Sequence, residues 1–389
     1  KRGDVLTGGG FSAATVETIR VDGLDDGDGA CARPEAAECI PALADVQGLS
    51  SEQRLSALSE LWLQQAQTLP DAAQRAAPDA GSPRLNAWLE VAQHAYAYLF
   101  FSERTPDARA FEDRQTQVRD YYNLAVQEAA SLLFASYRDR ATEVDAVFRD
   151  GPWTLRIDLP DPDGPSGRRQ ATMPQELLPA SSLSFAALRS TFRRDGFGAE
   201  LVAVMVDDPV AAAPEPRPDA GDAPRRPPGW SEMPSPGMTV LFRFDGDGLD
   251  AVLAAREVLV SAHDPYDEDD IVLYGQRLPL AANFTAGYGL WLARSGFNRQ
   301  SLRTLFGRGN GIDRPHLYMM QPYDPQRRII LMLHGLASSP EAWVNVANEI
   351  QGDDDLRQHY QIWQVYYPTN APIVLNHAAI RRLLARTRP

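Results

Sequence analysis

The chain has 389 residues, 44% hydrophobic and 23% charged, with 38 Lys and Arg against 52 Asp and Glu for a formal net charge of −14. That balance excludes a basic stripe able to neutralise phosphates and a polybasic attachment to anionic lipid, so nucleic acid is not expected as a partner. No window holds eighteen consecutive apolar residues, so no membrane-spanning helix is expected, and the length suits two or three domains.

Residues 1–48 carry Gly8-Gly9-Gly10, the acidic run Asp25-Asp26-Gly27-Asp28-Gly29 and Pro34, with only short apolar pieces between, and read as an extended or loosely ordered segment. The acidic run lacks the liganding glutamate of an EF-hand loop and reads as a solvated turn. The chain begins Lys1-Arg2-Gly3-Asp4, with no initiator Met and no apolar leader, so a removed leader or a fragment is expected. Cys31 and Cys39 are the two cysteines, and the sequence leaves open whether they pair. No histidine or second cysteine pair lies near them at ligand spacing, so no metal site is expected.

Residues 49–140 read as a helical layer. Ser50 and Gln53 have the spacing of a capping box, followed by Leu55, Leu58, Leu61, Trp62 and Leu69. Ser82-Pro83 opens a second helix through Trp88, Leu89, Tyr96 and Leu99. A third run after Pro106 places Phe111, Val118, Tyr121, Tyr122, Ala125, Ala129, Leu132 and Leu133 inward. His94 among these apolar positions reads as a satisfied core histidine, and no repeat at a fixed period is present.

Residues 141–280 switch to period two. Trp153, Leu155, Ile157 and Leu159 alternate with polar residues after the Asp150-Gly151 turn, and further strands are expected at 201–206, 240–244 and 257–260. Residues 207–236, dominated by Pro, Ala, Asp and Gly, read as a loop or linker rather than a strand. Asp264 to Asp270 reads as a charged turn, and Asn283-Phe284-Thr285 has the spacing of a glycosylation acceptor.

Residues 281–389 hold the stretch with most information about chemistry. His316 to Met320 reads as a strand, and Tyr323-Asp324-Pro325 turns it in hairpin fashion into the run Arg328 to Leu333, expected to be buried on both faces. His334-Gly335-Leu336-Ala337-Ser338-Ser339-Pro340 follows, with Ser339 as N-cap and Pro340 at the first position of a helix through Trp343, Val346, Ala347 and Ile350. Tyr360 to Tyr367 reads as the next strand, stopped by Pro368, and Asn376 to Arg386 as a helix with Ile380, Leu383 and Leu384 on one face.

Strand, His-Gly loop and helix in this order resemble the oxyanion-hole segment of the α/β-hydrolase superfamily, in its lipase and esterase branch. The resemblance covers the last fifth to quarter of the chain. It implies that the backbone N–H of Leu336 is one donor to a carbonyl oxygen that gains charge in acyl transfer, with Gly335 allowing a sharp turn and His334 holding the loop. The nucleophile elbow Gly-x-Ser-x-Gly is absent from the sequence, and the acid and base follow it in chain order in that fold. The resemblance therefore implies a fold class of α/β: an incomplete α/β-hydrolase sheet preceded by an all-helical layer and a mainly β region.

The parent protein is then expected to be a serine ester hydrolase acting on an ester or lipid, with no cofactor, and this chain to be its inactive front part. Ser338 and Ser339 read as loop and cap residues, and His359 and His377 fall away from the position of a catalytic base. The layered organisation also resembles large bacterial envelope hydrolases, which implies an exported or envelope location. The alternative is a non-catalytic binding or anchoring module, in which the helical layer meets a protein or lipid partner and the hydrolase segment is vestigial.

Overall fold

The computed structural model describes residues 4–33, 37–70, 81–137, 147–158, 174–205, 229–295, 315–335, 338, 340–369 and 371–387. Hydrogen bonding explains why the first segment departs from the extended form expected of it. Asp4 caps α1 (Val5–Gly8) in a reciprocal box with Thr7, and Ser12 caps α2 (Ala13–Val21). A third helix, α3 (Cys39–Asp45), follows the loop closed by a Cys31–Cys39 disulfide. Ile19, both cysteines and Leu43 bury against Leu58 and Leu61. Gly and Asp in the sequence mark the corners between these helices, and the helices themselves are too short for periodicity to reveal.

The helical layer forms where its caps stand. Ser50 and Gln53 close a capping box on α4 (Ser51–Thr68), and Ser82 caps α5 (Pro83–Phe101) with Pro83 at its start. The third helix, α6 (Asp113–Tyr137), begins later than expected, so Phe111 precedes it and is fully exposed instead of facing inward. One buried cluster ties the layer to the N-terminal helices: fully buried Glu60 of α4 accepts from the Ser12 backbone N–H and hydroxyl and from Arg114 at 3.1 Å. Its charge is thereby compensated in a dry site.

Strands β1 (Val147–Asp150), β2 (Trp153–Asp158) and β3 (Glu176–Pro179) precede the two-residue strand β4 (Arg193–Arg194), β5 (Ala199–Val204), β6 (Trp230–Glu232) and β7 (Gly237–Phe244). Short helix α7 (Leu249–Ala254) leads to β8 (Glu257–His263), the hairpin β9 (Asp270–Leu273) and β10 (Gln276–Pro279), and β11 (Ala282–Asn283). Six of these form a mixed sheet in the order β1-β2-β8-β7-β5-β3, parallel only between β2 and β8. Helices α5 and α6 cover one face of it. There the Tyr122 hydroxyl donates to the Phe242 carbonyl at 2.6 Å and accepts from its N–H at 3.0 Å. Asn283 is buried, and its side chain accepts from the N–H of Thr285 and Ala286 at the start of α8 (Ala286–Ser295), so this residue is a helix cap and not a glycan acceptor.

A second sheet has the order β13-β14-β12-β6; β12 (His316–Met319) and β13 (Arg328–Leu333) are followed in the chain by α9 (Val344–Gly352), α10 (Asp354–His359), β14 (Tyr360–Tyr366) and α11 (Ile373–Arg386). Three expectations are corrected here. Strands β12 and β13 do not form a hairpin, because β14 lies between them, antiparallel to β12 and parallel to β13. Residues 230–232, expected to be linker, form β6 and pair with β12. Strand β13 is not buried on both faces. Ile330 and Met332 pack with Ile362 and Ala347, whereas Ile329, Leu331 and Leu333 are 44%, 37% and 40% exposed, because α11 packs over Trp363, Val365 and Leu317 and stops short of them. Among the described residues β13 is an edge strand.

Candidate functional site

Parallel β13 and β14, with α9 and α10 between them in sequence, end side by side, and the loops beyond their carboxyl ends meet. This is the edge at which open α/β sheets place their ligands. His334 follows β13 directly and is 2% exposed. Its ring stacks on Tyr367, the residue after β14, with centroids 4.5 Å apart and 20° between planes. The Tyr367 backbone N–H donates to His334 Nε2 at 3.3 Å, and the Tyr367 hydroxyl donates to the His334 carbonyl oxygen. With Nε2 accepting, the hydrogen sits on Nδ1, which lies 3.2 Å from the Gly335 carbonyl oxygen.

Burial pushes the His334 pKa down, partly opposed by the hydrogen bond to the Gly335 carbonyl. Burial raises that of the Tyr367 phenol. Both groups are thus neutral near pH 7, and the one lone pair of the imidazole is already engaged by Tyr367. His334 is a clamp on the loop and has no free nitrogen with which to take a proton. Tyr367 is the partner that sequence reading missed. The sequence places it as the last residue of that strand, whereas the strand ends at Tyr366 and Tyr367 turns toward His334.

Gly335 corrects its expected role. A Cβ at this position meets nothing within 4 Å, and its φ lies outside the left-handed range, so the turn itself does not require glycine. Leu336 lies outside the described residues, as does the expected N-cap Ser339. The Ser338 N–H donates to the Gly335 carbonyl at 3.2 Å. After it, Pro340–Trp343 forms a 3-10 turn that continues into α9.

The same edge of the sheet holds His316, the first residue of β12, which pairs in register with Tyr366. Its Nε2 is 2.8 Å from Ser231 Oγ, a contact that fastens β6 to β12. Strand spacing of about 4.8 Å puts β6 roughly 14 Å from β13, too far for Ser231 to share a carbonyl with the His334 loop. His359 ends α10 at the opposite edge, and His377 lies within α11.

The acidic run from Asp264 is held by cations: Asp267 by Arg327 at 3.4 Å, Asp269 by Arg194, and Asp270 by Arg277 at 3.0 Å. Among the described residues no group of three or more His, Cys, Asp and Glu could hold a metal ion, and no helix is long and apolar enough to cross a membrane. Comparison with protein-family models, with curated proteins and with solved structures finds no match to the chain.

Proposed function

We propose that the parent protein is a serine ester hydrolase of the lipase and esterase kind, and that this chain supplies the His334-Gly335-Leu336 half of its oxyanion hole. The observation that carries the reading is the clamp of His334 by Tyr367 at the carboxyl ends of two parallel strands, which holds the residue from which the loop departs. Preorganised donors of this sort lower the barrier because no reorganisation is needed as charge develops. The nucleophile, base and acid of that fold are proposed to lie in sequence outside this chain. The open side of β13 supports this, since Ile329, Leu331 and Leu333 present the apolar surface that a further layer of the same fold buries. The Cys31–Cys39 disulfide supports an exported or envelope location.

A second reading, a binding module with a vestigial hydrolase segment, draws on Ile373, Val374 and Leu375, which are 86%, 76% and 60% exposed at the start of α11. Variants of the intact protein separate the two. Leu336→Ala keeps the backbone donor and most hydrolysis of a short-chain 4-nitrophenyl ester, whereas Leu336→Pro removes the donor and lowers kcat by about 10²–10³-fold. Gly335→Ala leaves stability within about 1 kcal/mol, since a Cβ there meets nothing within 4 Å. Equal turnover in the two Leu336 variants sinks the oxyanion assignment, and no esterase activity in the intact protein favours the module.

A further inference from the structure

Strand β8 carries Ser261 and His263 two positions apart, hence on one face of the six-stranded sheet. The turn that follows carries Glu268. Ser261 Oγ lies 3.0 Å from His263 Nε2, and His263 Nδ1 lies 2.8 Å from Glu268 Oε2. An ionised carboxylate only accepts, so Nδ1 holds the hydrogen and Nε2 is left to accept from the serine hydroxyl. Nucleophile, base and an acid orienting the base are therefore joined with the nitrogen roles that activated serines use, and both contacts fall within the usual reach.

A cation completes the group. On the same face Ser261 is in register with Asp158 of β2, and Arg243 of β7 with Leu259. Arg243 Nη2 is 3.7 Å from Asp158 Oδ2. Because β2 and β7 flank β8 on opposite sides, about 9–10 Å apart, that contact directs the guanidinium across β8 on the face that carries Ser261. Arg243 Nε is buried and has no hydrogen-bond partner, so this donor is unmet.

We propose that Ser261, His263 and Glu268 form a nucleophilic site for a small acyl ester, with Arg243 placed to receive the charge that develops on the ester carbonyl oxygen. Ser261 Oγ forms a bond to the acyl carbon while its proton passes to His263 Nε2, and Glu268 holds the resulting imidazolium. The proton then passes to the leaving oxygen as the carbon–oxygen bond breaks, which releases the alcohol. Water, deprotonated by His263, cleaves the acyl-serine to the carboxylic acid and restores the hydroxyl. Access limits the acyl group to something near acetyl in size, since Ser261 is 6% exposed and the His263 side chain 15%.

This site is independent of the His334 loop. Arg327, the residue before β13, donates to the Tyr266 carbonyl at 2.9 Å, so the turn that bears Glu268 lies at the amino end of β13. Six residues of strand separate it from His334, about 20 Å. The chain order Ser-His-Glu also differs from that of the hydrolase superfamily. With Ser261 active, this chain alone hydrolyses small esters, and the His334-Gly335-Leu336 loop keeps its separate role.

The test is to treat the 389-residue chain with 4-nitrophenyl acetate, quench it in acid and locate acetyl adducts by peptide mass spectrometry, with release of 4-nitrophenol as a second readout. A single adduct on Ser261 is expected, lost in Ser261→Ala. His263→Gln should slow its formation by roughly 10²–10⁴-fold. Glu268→Gln, in an exposed turn where loss of folding is not a concern, should slow it by a smaller factor with an unchanged melting curve. No adduct on Ser261 in the folded protein, an adduct on another serine alone, or a labelling rate unmoved by both His263→Gln and Glu268→Gln overturns the proposal. Leu336 variants of the intact protein report on the other site, so failure of one reading is not failure of the other.

Discussion

His94 sits in α5 with Nδ1 2.8 Å from the Glu90 carbonyl oxygen and its side chain only 13% exposed. Burial pushes its pKa down to about 4, the Glu90 carbonyl bond partly opposing this and Arg256 adding to it. The unfolded chain takes up this proton near pH 6.5, before the folded one does, so between those values the unfolded state holds more protons and stability rises with pH. The contribution of His94 is complete above pH 6.5 and is lost as pH falls toward 4, by up to about 1.4 kcal/mol per pH unit and about 3 kcal/mol in all. Burial also raises the pKa of the neighbouring Glu90 carboxyl, which acts in the opposite direction on acidification. In urea unfolding at a series of pH values, the stability advantage of the native chain over His94→Gln should shrink from pH 7 to pH 4.5. A difference that does not change with pH removes His94 from the acid response.

At the scale of an element, β13 shows how one apolar run divides its duties. Met332 is 5% exposed and lies in a packed cluster with Ile362 and Ala347, whereas Leu331 faces outward. Met332→Ala should cost about 2–5 kcal/mol in this chain and Leu331→Ser no more than about 0.5 kcal/mol, as measured by denaturant unfolding. Equal losses would mean that both faces are covered. The sequence could not distinguish these cases, because five apolar residues in a row look the same on an edge strand and a central one. Capping chemistry was legible at Ser50 and Ser82, where three or four neighbouring residues decide the outcome. Glu60 was not, since its partners Ser12 and Arg114 lie 48 and 54 positions away. His334 was legible as part of a local motif, whereas its clamp Tyr367 reaches it from across 33 positions. The strand expected at 257–260 stopped short of Ser261 and His263, and nothing local said that Glu268 would turn back to meet them.

On the scale of the whole molecule, the disulfide closes the loop between α2 and α3, and its buried sulfurs pack against Leu58 and Leu61 of the layer these helices cover. Cys31 and Cys39 are 8 positions apart, and a loop that short constrains the unfolded chain by about 2–3 kcal/mol. Replacing both with Ala should lower the melting temperature by several degrees for a protein of this size, with α4 to α6 retaining their helical circular dichroism. If the double variant melts with the native chain, the packing of Ile19 and Leu43 against α4 suffices without the bond. Strand β6 has a consequence of another kind, for synthesis on the ribosome. Ser231 emerges 85 residues ahead of His316, and at about 5–20 residues per second the strand waits on the order of ten seconds for the neighbour that will hold it. During that interval Trp230 and the bare backbone beside it are open to other nascent chains. Slow translation or a missing holdase should therefore be felt first in the assembly of the second sheet, with the six-stranded sheet already closed.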